Sequence, residues 1–198
     1  MNPEQLHELI IHRRTIKPVR ADGSPNYTEQ PVPDEIIQNL LQNANWAPTH
    51  GLTEPWRFTV FTGEARRTLA EFLVEAYQRL TPPDQVRPAK QENLRRNVLQ
   101  APCVIALGMK RHAAKIPAEE EIIAVACAVQ NLHLTATAYG LGGFWSTQPI
   151  FDHPETKQYL GLEPTDRCLG MFYVGYPSGP WPERTPGPIA DKVQWRRG

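Results

Sequence analysis

Cysteine is scarce in this chain: Cys103, Cys127 and Cys168 are the whole complement, and no two stand in a Cys-x-x-Cys pattern. No Cys/His grouping has zinc-ligand spacing, so a zinc module is excluded. Cys103 and Cys127 lie in apolar runs and read as buried free thiols in a reducing compartment. Net charge is absent as well, with 21 Lys and Arg against 21 Asp and Glu. That balance offers no basic field for nucleic acid and no pull toward an anionic membrane. The longest apolar run, residues 122–138, is interrupted by Gln130, Asn131 and His133. It is too short and too polar to span a bilayer. The first residues are polar and charged, unlike the apolar core of a secretory signal. Together these features predict a cytoplasmic protein.

A dinucleotide fingerprint is also missing. Gly140, Gly142 and Gly143 do not keep its spacing, and they leave a helix rather than open one. There is no internal repeat and no linker. What remains is ordinary globular composition: 198 residues, 40% hydrophobic, enough for one domain over 1–198 with a sizeable core.

Apolar periodicity predicts helices over 3–12, 34–44, 64–80, 87–100, 118–139 and 153–160. Continuous or β-branched runs predict strands over 57–61, 103–109 and 168–174, the second covered on both faces. Leu6, Leu9 and Ile10 share one face of the first helix. Glu119, Glu120 and Glu121 sit in the first turn of the 118–139 helix, where the helix dipole favours anions. Beyond them that helix is apolar nearly all round, as at the centre of a core or a subunit interface. His133 reads as a satisfied core histidine. The tail, 175–198, has five Pro, four Gly and two Trp. It is too Pro-rich for a central strand, yet Trp181 and Trp195 suggest that it docks, plausibly on a second subunit. The tally is a single α+β or α/β domain.

Three stretches carry the chemistry. Arg13, Arg14, Thr15 and Lys17 follow the first helix. They serve either as a solvated basic turn answering the helix dipole or as an anion site built from forked guanidinium donors and a hydroxyl. The loop 45–56 holds two Trp, two Pro, two Thr and His50 between a helix and a strand. Aromatic walls beside small polar donors suit a planar heterocycle. The segment 140–147 ends in Phe144, Trp145, Ser146 and Thr147, and its glycines allow close approach of a ligand or of a neighbouring element.

These stretches, in this order, resemble the FMN-dependent nitroreductase family. The motifs are Arg13-Arg14-Thr15-Ile16-Lys17, then Ala47-Pro48-Thr49-His50 through Pro55-Trp56-Arg57-Phe58, then Gly140-Leu141-Gly142-Gly143-Phe144-Trp145. Gly175-Tyr176-Pro177 and Arg184-Thr185-Pro186 follow in the tail. The likeness spans nearly the whole chain and is strongest to compact bacterial NAD(P)H nitroreductases of the YdjA type.

The resemblance implies an α+β fold with a mixed central sheet flanked by helices. It implies an interwoven homodimer whose C-terminal arm, 175–198, extends over the partner, with FMN at the interface. It implies Arg13 and Thr15 at the FMN phosphate and ribityl end, helped by Arg14 and completed by Arg184. Lys17 falls near the flavin N1–O2 edge, where a positive charge favours the reduced ring. Trp46 and His50 match cofactor contacts made across the dimer. Trp145, Ser146 and Thr147 match the segment along the isoalloxazine ring. Trp56 then becomes packing at the start of a strand.

The implied activity is hydride transfer from NADH or NADPH, through the flavin, to a flat electrophile such as a nitroaromatic or quinone, with ping-pong order. The alternative is a flavin-binding storage, sensing or processing protein without efficient turnover. No protein acid or base is implied. Leu52 and Glu54 depart from the Asn and Gln that many members carry, and Trp46 stands where near relatives have Arg.

Overall fold

A computed structural model describes residues 2–198. Its α-helices are α1 (Pro3–His12), α2 (Asp34–Ala44), α3 (Ala65–Leu80), α4 (Pro88–Gln100), α5 (Ala118–Ala138) and α6 (Pro154–Tyr159). Its strands are β1 (Trp56–Thr62), β2 (Cys103–Met109), β3 (Gly142–Ser146) and β4 (Arg167–Gly175). The strands form one sheet in the order β1-β2-β4-β3.

All three pairings between neighbouring strands are antiparallel. The crossover from β2 through α5 does make β2 and β3 point the same way. However, β4 lies between them and opposes both. Among the described residues parallel pairing is thus confined to one isolated bridge, Thr15 to Gly143, at the sheet's edge. The expected mixed sheet is mixed only there.

Helices cover both faces of the sheet. Val104 and Ala106 of β2 pack toward α3 and α4, through Leu69, Leu73, Leu94 and Val98. Cys103, Ile105, Leu107 and Met109 pack toward α5 and α2, through Val125, Val129, Leu132 and Leu40. Every residue of β2 is buried, as its unbroken apolar run requires. Burial raises the Cys103 thiol to about 12 and the Cys168 thiol to about 11, and all three cysteines are unpaired. Among the described residues no helix is long and apolar enough to cross a membrane.

Helices α1 and α5 keep apolar surface uncovered. No residue of α1 is buried, and Leu6, Ile10 and Ile11 are 45%, 48% and 42% exposed. On α5, Ile123 is 62% exposed while the opposite side of the helix fills the core.

The first turn of α5 does more than answer a dipole. Glu121 is fully buried. Its carboxylate accepts from His112 N and His112 Nδ1, both at 2.9 Å, and pairs with Arg111. Asp166 accepts from Arg111 N at 2.9 Å. These bonds lash the β2–α5 loop to the core.

The tail divides in two. Its first half docks on its own chain. Tyr176 O accepts from Thr28 N at 2.8 Å, and Asn26 O accepts from Ser178 N at 3.0 Å. Trp181 packs against the core and donates its indole N–H to His12 O. Trp181 therefore finds its seat within the protomer. Residues 185–198 stay exposed, Trp195 at 76%.

Candidate functional site

The chain leaves α1 at Arg13 in an extended conformation (ψ 124°) and runs along the edge of β3. Ile16 N donates to Gly143 O at 3.0 Å, and Tyr27 Oη donates to Ile16 O at 2.5 Å. Ile16 drops into the core, whereas Thr15 and Lys17 remain exposed. The glycines make this contact possible. A Cβ at Gly142 would lie 2.9 Å from Ile16 Cβ, and one at Gly143 would lie 2.5 Å from Phe172 Cζ. Of the two uses open to these glycines, close approach of a neighbouring element is the one observed.

His133 sits beneath the junction. Its ring meets Phe172 edge-on at 5.3 Å, and Nε2 lies 2.9 Å from Arg14 O. A carbonyl only accepts, so Nε2 carries the proton. Burial, then the Arg13 charge, pushes the imidazole pKa from 6.5 down to about 4. Between those values the unfolded chain takes up a proton that the folded chain refuses. Stability should therefore fall as pH is lowered from 6.5 toward 4, by about 3 kcal/mol at most from this group. Urea unfolding across that window should show a shallower decline for His133→Gln than for the parent.

Arg13, Arg14 and Arg184 line one cavity of about 520 Å³. Burial lowers the Arg13 pKa, and the charges of Arg184 and Arg14 lower it further. Arg14 is occupied: Nε donates to Pro182 O at 2.7 Å and Nη1 to Arg13 O at 2.9 Å, which ties the tail down. Arg13 and Arg184 make no ion pair and no side-chain hydrogen bond among the described residues. Like charges gathered without a counter-ion repel, and an anion bound between them would relieve that cost.

A larger cavity, about 940 Å³, lies farther along the same segment. Thr15, Lys17, Phe144, Ser146 and Gln148 contribute to its wall. Lys17 Nζ stands 5.8 Å from the centre of the Phe144 ring. Strand alternation sends Trp145 and Thr147 to the other face, where they line a third cavity of about 680 Å³. The three residues expected along one ligand thus divide between two cavities, and Gln148 borders both. The indole N–H of Trp145 is taken by Leu169 O at 2.9 Å. The backbone offers another donor. The carbonyl of Gly143 faces outward from the sheet to meet Ile16. Two residues on, the Trp145 N–H faces the same open edge, because strand period is two.

Trp46 and His50 lie elsewhere in the protomer. Trp46 is 78% exposed and borders a groove of about 560 Å³ with Leu9, Asn43, Leu134 and Tyr139. His50 Nδ1 contacts Glu120 of α5. Within one chain neither shares a cavity with the Arg13–Lys17 segment. Trp56 is buried, with Nε1 donating to Asn45 Oδ1 at 2.8 Å, so it packs.

The departures in this loop have a backbone cost. Leu52 and Glu54 adopt φ of 52° and 42°, beside Gly51 at 61°. Leucine is strained in this left-handed region, which asparagine tolerates. Leu52 is 84% exposed, so packing does not repay the strain. Leu52→Asn should therefore stabilise the fold by about 1 kcal/mol, read as a higher urea midpoint at unchanged slope.

A family model described as the nitroreductase family matches residues 12–176. The chain belongs to the nitroreductase family. It is 26% identical to YfhC of Bacillus subtilis, provisionally named an NAD(P)H nitroreductase, over 96% of each chain. It is 28% identical to YdjA of Escherichia coli, named the same way, over 86% of this chain and 87% of that one. Among solved structures, a nitroreductase-like protein from Bacillus cereus superposes with TM-score 0.82 at 24% identity, over 98% of this chain and 96% of that one. The FMN-dependent nitroreductase NfnB from Mycobacterium smegmatis, solved with NADPH, gives TM-score 0.74 at 18% identity, over 98% and 99%.

The nitroreductase match begins beside Arg13 and ends before Arg184. Arg184, expected from the tail motif, lies outside that match but on the same cavity as Arg13. Gln148, where two cavities meet, was not singled out from sequence. Neither were Arg87 and Lys90, which fall in the helix expected over 87–100.

Proposed function

We propose that this protein is an FMN-dependent oxidoreductase that passes hydride from NADH or NADPH to a flat electrophile such as a nitroaromatic or quinone. The observation that carries the reading is the meeting of Arg13 and Arg184, two guanidinium groups without an acid, beside the family's first motif. Those donors fit a phosphate, and the adjoining wall fits a tricyclic ring. Bound FMN would supply the hydride-accepting and hydride-donating ring. Arg13 and Arg184 hold its phosphate, and Thr15 holds its ribityl end. Arg14 acts indirectly, by fixing Pro182 and the start of the tail. Lys17 places positive charge where negative charge collects on hydride arrival. The Trp145 N–H and the Ser146 hydroxyl bound the ring edge, while Thr147 faces the neighbouring cavity. With one cleft serving donor and acceptor in turn, the order is ping-pong.

The active form is a homodimer. The uncovered apolar faces of α1 and α5 support this, as does the groove beside Trp46. In that dimer Trp46 and His50 complete the partner's site, and residues 185–198 extend over the partner. Three unpaired thiols suit a cytoplasmic location. The test is the visible spectrum of the purified protein together with its sedimentation. Bound oxidised flavin in a dimer is expected. A colourless monomer that takes up no FMN would refute the reading.

A further inference from the structure

The cavity of about 940 Å³ is walled by four cations, Lys17, Arg20, Arg87 and Lys90, and by no carboxylate. Lys17 is accounted for by the flavin. Arg20 is held in place by its loop and the tail, donating to Ser24 Oγ at 3.2 Å and Ser178 Oγ at 2.8 Å. Arg87 and Lys90 have no such explanation. Neither belongs to an ion pair among the described residues, although α3 and α4 pair other cations with Glu64, Glu71, Glu75 and Glu92. Lys90 Nζ sits 5.0 Å above the Tyr77 ring, which leaves its protons available.

The position of the two side chains makes their charge unfavourable in isolation. Arg87 is the N-cap of α4, and Lys90 lies in its first turn. That turn contains no acidic residue, and no side chain caps it. Cations at a helix N-terminus oppose the dipole, so sequence economy alone would place Asp or Glu here. Four cations on the wall of one cavity form a receptor for a multiply charged anion.

We infer that Arg87 and Lys90 read the 2′-phosphate of the nicotinamide donor, so that NADPH is bound in preference to NADH. This rests on the FMN reading above, because the donor must stack on a ring held beside Lys17, and Arg87 and Lys90 stand on the wall of that same cavity. The extra phosphate is the only chemical difference between the two donors, and among the described residues the two cations form no ion pair. No dinucleotide fingerprint is required, since charge on a cavity wall performs the discrimination.

The experiment uses the FMN-loaded protein and the non-reducing probes NADP⁺ and NAD⁺. Flavin content is measured first, and then binding of each probe by calorimetry. NADP⁺ should bind about tenfold tighter than NAD⁺, as expected for two charge-assisted contacts in a solvent-exposed cavity, with the advantage shrinking as salt rises. Arg87→Gln with Lys90→Gln should bring the ratio to about one while NAD⁺ affinity and flavin content hold. A flavin-loaded protein that binds both probes equally overturns the donor assignment alone. So does a double variant that keeps the full NADP⁺ advantage. A folded protein that takes up no FMN overturns the functional reading, and the donor assignment with it.

Discussion

Arg13→Ala should cost FMN affinity about 100-fold, the loss of a forked, charge-assisted contact to phosphate. The same change should leave the flavin-free protein as stable as before, or slightly more so. Arg13 stands beside Arg184 and Arg14 on a cavity lined by no carboxylate, and burial already lowers its pKa. Removing one of three like charges relieves repulsion in the empty cavity. A structural arginine would behave the opposite way, with stability falling and ligand affinity changing little. Fluorescence titration with FMN and urea unfolding of the flavin-free protein separate the two outcomes. Arg184→Ala should act in the same direction. Retained FMN affinity in both variants would remove the phosphate site from this cavity.

Glu121→Ala should destabilise the fold by about 3–5 kcal/mol, the usual result of stripping the partner from a buried charge. Glu121 is fully buried, and the Arg111 side chain it pairs with is only 16% exposed. Alanine would leave that guanidinium without a counter-ion and His112 without two acceptor contacts. The effect extends toward the loop 50–54, because His50 rests on Glu120 in the same turn. Replacing both charges at once, Arg111→Met with Glu121→Leu, should recover much of the loss, since the pair matters chiefly by being complete. Urea denaturation of the three variants measures this directly. A single-variant loss below about 1 kcal/mol would show the network to be solvated rather than buried.

Much of the fold was legible because its signals are local. The unbroken apolar run 103–109 could only be a strand covered on both sides, and it is β2. The amphipathic run expected over 34–44 is α2, Asp34–Ala44. The strand 142–146 was read only as a glycine-rich segment, because two of its five residues are glycines and its partner, β4, is distant in sequence. The sheet's antiparallel character was hidden for the same reason. Which strand inserts between β2 and β3 is a long-range fact that no local pattern encodes.

The site shows the same division. Arg13, Thr15 and Lys17 were visible because three cations crowd five residues beside a helix end. That Arg184 joins Arg13 depends on the tail folding back through Trp181 and Pro182, contacts separated by some 170 residues of chain. The division of Trp145 and Thr147 from Ser146 follows from strand alternation, which becomes readable only once 142–146 is known to be a strand. Glu121 was hidden by its company. Among three consecutive glutamates in a first turn, sequence cannot tell which one turns inward to meet Arg111.

The most direct test of the central claim is an anaerobic titration of the FMN-loaded protein with NADPH and NADH, followed by a nitroaromatic or a quinone. The visible band of the oxidised flavin should bleach on donor addition and return in full when the acceptor is added. A flavin that only dithionite reduces, with both nicotinamides leaving the band unchanged, would contradict it and mark the protein as a flavin binder without reductase turnover.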